Sequence, residues 1–389
     1  MRVLFACRPD YLTRWGGDTT QILKTKTHLE KLGVTIDLVT SNNFDVSTYD
    51  LVHLFNITRV HDTFLKMRNA KSQNIPVALS TVYWDMTEYL QYGKYPLWVR
   101  VLNRLFLGSR LLDVGRWLAE SLNYRRRQLG YGAGIRGVYF EQLMVLRWAD
   151  ILLPNGYAEQ KKIEQNFQVF DTFQIVTNGV DHFDFPPNPR VFTDKFELQE
   201  KSFVLFVGSV GDRKNVLKLI QATNRLRIPL AIIGTGNKRS RYYELCQEAA
   251  SPSTLFLGSM LFDEIKHAYA AAKAHALPSW YETPGLASLE AALAKCNIVS
   301  TDRGTTKEYF QDWAWYCDPR ELDSICEAVE SAFAAPQSDA LSELVQQNYT
   351  WQKAAEQTLA AYNRILDQRL QRENKMEDEN RKQAVVHLC

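Results

Sequence analysis

Two carboxylates and a glycine within one short run have the types and spacing best suited to chemistry in this sequence: Pro278-Ser279-Trp280-Tyr281-Glu282-Thr283-Pro284-Gly285-Leu286-Ala287-Ser288-Leu289-Glu290. The spacing predicts Glu282 just before a helix start and Glu290 two turns inside it. Thr283 suits a cap, Pro284 suits the first helical position, where its missing N–H costs nothing, and Gly285 lets a bulky anion approach the backbone. Free N–H groups at such a start form an anion site. A phosphate between the two carboxylates would repel both, so each is better matched to accepting hydrogen bonds from sugar hydroxyls. That is the outline of a nucleotide-sugar pocket, while a capped surface helix with two Glu by chance explains the same residues.

The following segment, Cys296-Asn297-Ile298-Val299-Ser300-Thr301-Asp302-Arg303-Gly304-Thr305-Thr306-Lys307-Glu308, reads as a short strand, a turn and a new helix. Together the two segments resemble the donor-binding signature of glycosyltransferase family 4, the retaining GT-B enzymes with a Glu, seven residues, Glu motif. Other segments extend the resemblance. Val3-Leu4-Phe5-Ala6 reads as a strand, then Gly16-Gly17-Asp18, an amphipathic helix stopping at Gly33, and a strand from Val34 to Thr40. Val176-Thr177-Asn178-Gly179-Val180-Asp181 looks like the family's interdomain segment. Phe203 to Gly208 followed by Asp212-Arg213-Lys214-Asn215, Ala231 to Gly236, Leu255 to Gly258, and Asn348-Tyr349-Thr350-Trp351 complete an ordered set covering roughly residues 1 to 366.

The resemblance implies an α/β protein of GT-B fold, two Rossmann-like doubly wound domains facing a cleft, and it implies roles. Glu282 would hold donor-sugar hydroxyls, the Gly285 and Leu286 amides the phosphate, and Glu290 the ribose. Gly16 and Gly17 match a phosphate-facing loop, and Gly208 is the strand exit before Arg213 and Lys214, the cations nearest the diphosphate. The loop after Gly258, with Met260, would lie by the base. Many relatives carry Arg directly after the glycine where this chain has Ser209, which puts more phosphate work on Arg213 and Lys214. Relatives also tend to carry His-Asp where this chain has Val82-Tyr83-Trp84-Asp85. Asp85 is an acceptor-side candidate, with a helix cap as the equal alternative. His53, ending a strand in Val52-His53-Leu54-Phe55-Asn56, is a further acceptor candidate against a structural reading.

The elements needed to position these residues fit the length. A chain of 389 residues with 46% hydrophobic residues accommodates two domains with sizeable cores. Alternating strands and helices argue for two doubly wound sheets. Residues 1–185 would form the acceptor-binding domain and 190–350 the donor-binding domain, joined near Pro186-Pro187-Asn188-Pro189. A last helix over 351–370 would cross back to the first domain, and 373–389 reads as a frayed charged tail. Cys7, Cys246, Cys296, Cys317, Cys326 and Cys389 show no Cys-x-x-Cys pair, which favours buried thiols and a reducing compartment over disulfides or zinc. No run of 18 apolar residues is present, so nothing in the sequence spans a bilayer.

Net charge is only +2, yet residues 94–148 hold ten basic residues, Lys94, Arg100, Arg104, Arg110, Arg116, Arg125, Arg126, Arg127, Arg136 and Arg147, against Asp113, Glu120 and Glu141. Interleaved with Leu97, Trp98, Val101, Leu105 and Leu112, they predict an apolar face edged with arginine, suited to an anionic membrane or a phosphorylated lipid acceptor; core-facing helices with solvated arginines are the alternative. Charge this local, without a recognised motif, argues against nucleic acid. No Asp-x-Asp follows a strand, so no metal is expected; no Gly-x-Ser-x-Gly elbow or Walker loop is present either.

The expectation is a metal-independent retaining glycosyltransferase with no cofactor. It would take a sugar from a nucleotide sugar to a glycan or lipid-linked acceptor in cell-surface polysaccharide or lipopolysaccharide biosynthesis, in the cytoplasm or on the inner face of the membrane. A GT-B sugar-nucleotide epimerase and a catalytically degenerate glycan-binding protein are the rivals.

Overall fold

The computed structural model describes residues 1–13, 16–93, 137–170, 172–183 and 186–386, the last ten as backbone alone. Most of the basic stretch, residues 94–136, lies outside the described residues. The strands are β1 (Arg2–Ala6), β2 (Thr35–Val39), β3 (Leu51–Phe55), β4 (Val77–Ser80), β5 (Ile151–Leu153), β6 (Val204–Val207), β7 (Leu230–Ile233), β8 (Thr254–Gly258), β9 (Ala274–Leu277), β10 (Asn297–Thr301) and β11 (Ala314–Cys317). They form two parallel sheets, in the orders β2-β1-β3-β4-β5 and β11-β10-β9-β6-β7-β8. Runs such as Val-Leu-Phe-Ala and Leu-Val-His-Leu-Phe are apolar without alternation because both faces of each sheet are covered.

Each sheet reverses its strand order beside its first strand, between β1 and β3 and between β6 and β9. Ligands of open α/β sheets bind outside the carboxyl ends of the strands at such points. The exits from β1, β6 and β9 lead into the Gly16-Gly17 loop, the Arg213-Lys214 turn and the Glu282 segment respectively.

Four apolar clusters, two for each sheet, make the core. The last helix, Trp351–Val386, packs Trp351, Ala354, Ala355, Ala361, Tyr362 and Ile365 among Val3, Phe5 and Ile22 of the first sheet's layer. It does not stop near 370 with a frayed tail beyond: it is helical through Val386. Residues 371–386 contain no Gly or Pro and are rich in Glu, Lys, Arg and Gln, all good helix formers, and the i, i+4 pair Arg369–Glu373 at 2.8 Å adds support. The five cysteines among the described residues are buried and free.

A second seam joins the two sheets' domains. Helix Tyr157–Phe167 of the first domain has no capping side chain of its own; its Tyr157 and Ala158 amides instead donate to the Glu308 carboxylate of the second, at 2.7 and 2.5 Å. Gly156 permits this approach, since a Cβ there would lie 2.8 Å from Glu308 Oε2. The Tyr309 hydroxyl donates to the Asn155 carbonyl at 2.7 Å and accepts from the Asn178 amide at 2.9 Å.

Candidate active site

The turn after β6 and the segment after β9 are built against each other. Past Gly208, whose φ of +153° suits glycine, Asp212–Lys214 forms one 3-10 turn. Asn215 ends it in the left-handed conformation, its side-chain Nδ2 donating to the Pro319 carbonyl at 2.9 Å. The Arg213 carbonyl accepts from Trp280 N at 2.9 Å, and Arg213 Nη1 donates to the Tyr281 carbonyl at 3.2 Å. These ties bring Lys214 Nζ to 2.5 Å and Arg213 Nη1 to 3.7 Å from Glu282 Oε1. Burial lowers the Lys214 ammonium to about 8, against the pull of Glu282. Burial by itself would raise the Glu282 carboxyl, but Lys214 and Arg213 outweigh it and hold the group below its ordinary value. An ammonium has three donors, so Lys214 can serve Glu282 and a phosphoryl oxygen together.

Glu282 is fixed from behind as well. Its amide donates to the Arg303 carbonyl and its own carbonyl accepts from Thr305 N, both at 3.1 Å. Gly304 must be glycine here: its φ is +112°, and a Cβ would fall 1.8 Å from the Glu282 carbonyl oxygen.

The helix carrying Glu290 starts later than its sequence suggests. It spans Leu286–Leu293, with Gly285 at its N-cap in the left-handed conformation at φ +91°. Thr283 does not cap it and Pro284, after a cis peptide bond, is not its first residue. The left-handed Gly285 turns the chain abruptly, which separates Thr283 and Pro284 from the helical run. Glu290 accordingly lies about one turn inside the helix, not two. The Gly285-Leu286 start meets the start of helix Gly17–Lys31 across the cleft: a Cβ on Gly17 would stand 3.9 Å from Leu286 Cδ1. Neither helix start carries a side-chain cap, so two sets of leading amides and two positive dipole ends converge. Asp18 stands near them but is engaged by Arg8, Nε to Oδ2 at 2.8 Å.

Half-buried Glu290 accepts from the Tyr269 hydroxyl at 2.9 Å, and burial pushes its carboxyl up to about 7. Lys24 draws that value down and Asp181 pushes it up. Asp181, in the interdomain segment, pairs with Lys24 and, at 3.0 Å, with His28, both on the first domain's leading helix. Asp181 stands in a recognisable segment, but no local spacing in the sequence links Lys24 and His28 to it.

The acceptor-side candidates have structural partners. His53 is fully buried, Nδ1 2.5 Å from the Tyr362 hydroxyl and Nε2 2.9 Å from Ser80 Oγ, and its ring stacks on Phe55. Burial lowers it to about 3, so it is neutral and belongs to the core, which corrects its candidacy. Asp85 Oδ1 accepts from the Thr87 amide at 2.9 Å and its hydroxyl at 2.6 Å, a local turn just ahead of helix Thr87–Tyr92, whose N-cap is Met86, with Lys162 at 3.8 Å. The Thr81–Tyr83 turn before it rests on buried Glu159, which accepts from Thr81 Oγ1 and from Tyr83 N. Burial raises Glu159 to about 7. Gly258, at φ +74°, closes edge strand β8, and Met260 packs half-buried on the second domain's core. The candidate site residues of the second domain thus gather at the β6/β9 reversal, except Gly258 and Met260 at the sheet's far edge.

Residues 190–377 match the family described as "Glycosyl transferases group 1". The chain is 26% identical over 183 residues to the O-antigen chain mannosyltransferase B of Escherichia coli, an alignment covering 43% of this chain and 47% of that protein. The chain spans about half the length of the curated relatives it matches. Among solved structures, sucrose-phosphate synthase from Thermosynechococcus elongatus superposes with a TM-score of 0.70 at 14% identity, over 94% of this chain and 99% of that one. Anabaena HepE in complex with UDP and glucose gives 0.64 at 13%, over 93% and 99%. Two Rossmann-like domains meeting at a cleft, with a matched segment that holds Lys214, Glu282 and Glu290, place residues 190–377 in the glycosyl transferases group 1 family, within a chain of GT-B fold.

Proposed function

We propose that this chain is a retaining glycosyltransferase that takes a sugar from a nucleotide-diphosphate sugar to a glycan or lipid-linked acceptor, in assembly of a cell-surface polysaccharide or lipopolysaccharide. The Lys214–Glu282 pair beside two converging uncapped helix starts carries the reading. As the bond from the sugar's anomeric carbon to the diphosphate oxygen breaks, negative charge collects on the leaving group, and donors already aimed there gain strength in the transition state. Lys214, Arg213 and the amides at Gly17 and at Gly285-Leu286 are those donors, so side-chain cations meet the charge without a divalent metal. Glu282, fixed at side chain and backbone, accepts from the donor-sugar hydroxyls, and Glu290 accepts from the ribose. The Gly258-Met260 loop takes the base. Retained configuration and family 4 membership rest on the Glu282-to-Glu290 spacing. The proposal includes a place on the inner face of an anionic membrane, supported by the charge pattern of residues 94–148.

A panel of nucleotide sugars, scored by thermal shift and by slow hydrolysis of the donor, tests this. One nucleotide class should raise the melting temperature and be hydrolysed with release of the nucleoside diphosphate. No shift and no hydrolysis with any donor would sink the reading, and interconversion of two sugar epimers on the same nucleotide would replace it with epimerase chemistry.

A further inference from the structure

Helix Thr87–Tyr92 of the first domain reaches the second domain beside the donor-side carboxylate. Glu88 receives Arg303 as a fork, Nε to Oε2 at 3.2 Å and Nη2 to Oε1 at 3.0 Å, and Arg320 Nε stands 3.4 Å from Glu88 Oε1. One residue on, the Tyr89 ring lies 5.9 Å from the ring of buried Trp280, two residues before Glu282. At the helix end, the Arg320 guanidinium sits 5.5 Å over the Tyr92 ring. The contact continues in both directions: the Arg303 carbonyl accepts the Glu282 amide, and the first residue of the helix, Thr87, donates to Asp85.

The charges around this contact allow it to open. On the second domain, Arg303 also pairs with Asp302 and with Asp318 at 3.0 Å, and Arg320 pairs with Asp318 at 2.8 Å. When the helix leaves, two arginines keep two aspartates, and Glu88, about a third exposed even when paired, passes to water. No buried charge is stranded, unlike the opening of a fully desolvated pair. A planar guanidinium receiving a carboxylate as a fork also fixes orientation, not only proximity.

We propose that helix Thr87–Tyr92 is a releasable clasp: through Glu88 and Arg303 it couples occupancy of the Glu282–Glu290 site to the position of Asp85 and the acceptor side. Glu88 and Arg303 are positioning residues, and the proposal rests on reading the cleft as a nucleotide-sugar site. Donor binding that steadies Glu282 and its backbone partners at 303–305 steadies the clasp, which orders the segment leading to Asp85.

Hydrogen exchange on the full chain, with and without uridine, guanosine and adenosine diphosphates in turn, tests it. In the wild type, the diphosphate that protects 282–290 should also slow exchange across 87–92 about tenfold. Glu88→Gln should bind that diphosphate within twofold by calorimetry, protect 282–290 as before, and lose the added protection at 87–92; Glu88→Asp should recover part of it. Without ligand, the amides of 87–92 should exchange about tenfold faster in Glu88→Gln while both sheets keep wild-type protection. Equal ligand-induced protection of 87–92 in wild type and Glu88→Gln overturns the clasp, as does a uniform loss of protection through both domains. If no diphosphate protects 282–290 in the wild type, the nucleotide-sugar reading fails, and the ligand-free comparison alone decides whether the helix is held by Glu88.

Discussion

The two sheets repeat one architecture, yet their polar residues are used differently. At the end of the second sheet, Arg213, Lys214 and Glu282 sit side by side at the strand-order reversal and hold one another through charge and backbone contacts. At the end of the first sheet, the residues singled out by type serve the fold: His53 is locked between Tyr362 and Ser80, and Asp85 holds the turn into helix Thr87–Tyr92. A diphosphate and a ribose demand cations, amides and carboxylates from a few contiguous turns. An acceptor surface assembled from distant segments leaves no comparable local mark.

The largest effect expected on this contrast comes from Lys214→Ala, which removes a charge-assisted contact that strengthens as the leaving group departs. Turnover should fall about 100-fold, on the order of 2 to 4 kcal/mol of transition-state stabilisation, with the fold retained. A bound diphosphate raises the ammonium that burial lowers to about 8, so binding takes up a proton above that pH. Wild-type nucleotide affinity should therefore decline as pH rises past about 8, and calorimetry should find no such decline in Lys214→Ala. An unchanged rate with a known donor would mean the phosphate is held elsewhere.

His53→Ala should do the opposite on the first sheet. Loss of a buried ring and the stranding of Tyr362 and Ser80 should cost about 2 kcal/mol in urea unfolding, while nucleoside diphosphate affinity stays at the wild-type level. Altered nucleotide affinity in a folded variant would place His53 in the site after all.

Glu290→Gln should weaken nucleoside diphosphate binding about tenfold, since a charged acceptor for the ribose is lost. Glu282→Gln should impair transfer more than nucleotide affinity. The sign of the stability change separates Glu290 further. A carboxyl raised to about 7 in the folded state is protonated in both states below its ordinary value, and it opposes folding by an amount that grows as pH rises from there to about 7 and is constant above it. Glu290→Gln should therefore be more stable than wild type in urea unfolding at pH 8, by on the order of 1 to 3 kcal/mol, and gain nothing at pH 4. Equal nucleotide binding by both variants would reduce the motif to a helix of the fold.

Asp85→Ala is the mildest. Loss of the hydrogen bonds to Thr87 should cost about 1 kcal/mol of stability and leave nucleotide affinity intact. A large loss of transfer without loss of stability would show that Asp85 touches the acceptor.

Legibility followed the same division. Strands such as Arg2–Ala6 and Val204–Val207 stand out in sequence because parallel strands buried on both faces are continuous apolar runs with glycine exits. Ala274–Leu277 was harder to see: its run contains His275, an imidazole that is fully buried and held neutral at about 3. The start of the Glu290 helix differs from its sequence expectation because a left-handed Gly285, not Thr283, turns the chain. Lys24, His28, Arg303 and Glu88 were invisible as site neighbours, since pairs such as Lys24–Asp181 and Glu88–Arg303 join residues 157 and 215 positions apart.

The carboxylate of Glu308 at the head of helix Tyr157–Phe167 bears on how the chain melts. A helix start borrowed from the other domain, together with the Tyr309 hydroxyl that serves Asn155 and Asn178, makes each half finish the hydrogen bonding of its neighbour. Unfolding either half takes these partners from the other and leaves the freed groups to water, so the survivor loses about 1 kcal/mol for each bond. The two domains should therefore melt in one transition, with the calorimetric enthalpy equal to the van't Hoff value, and Glu308→Ala should split it in two.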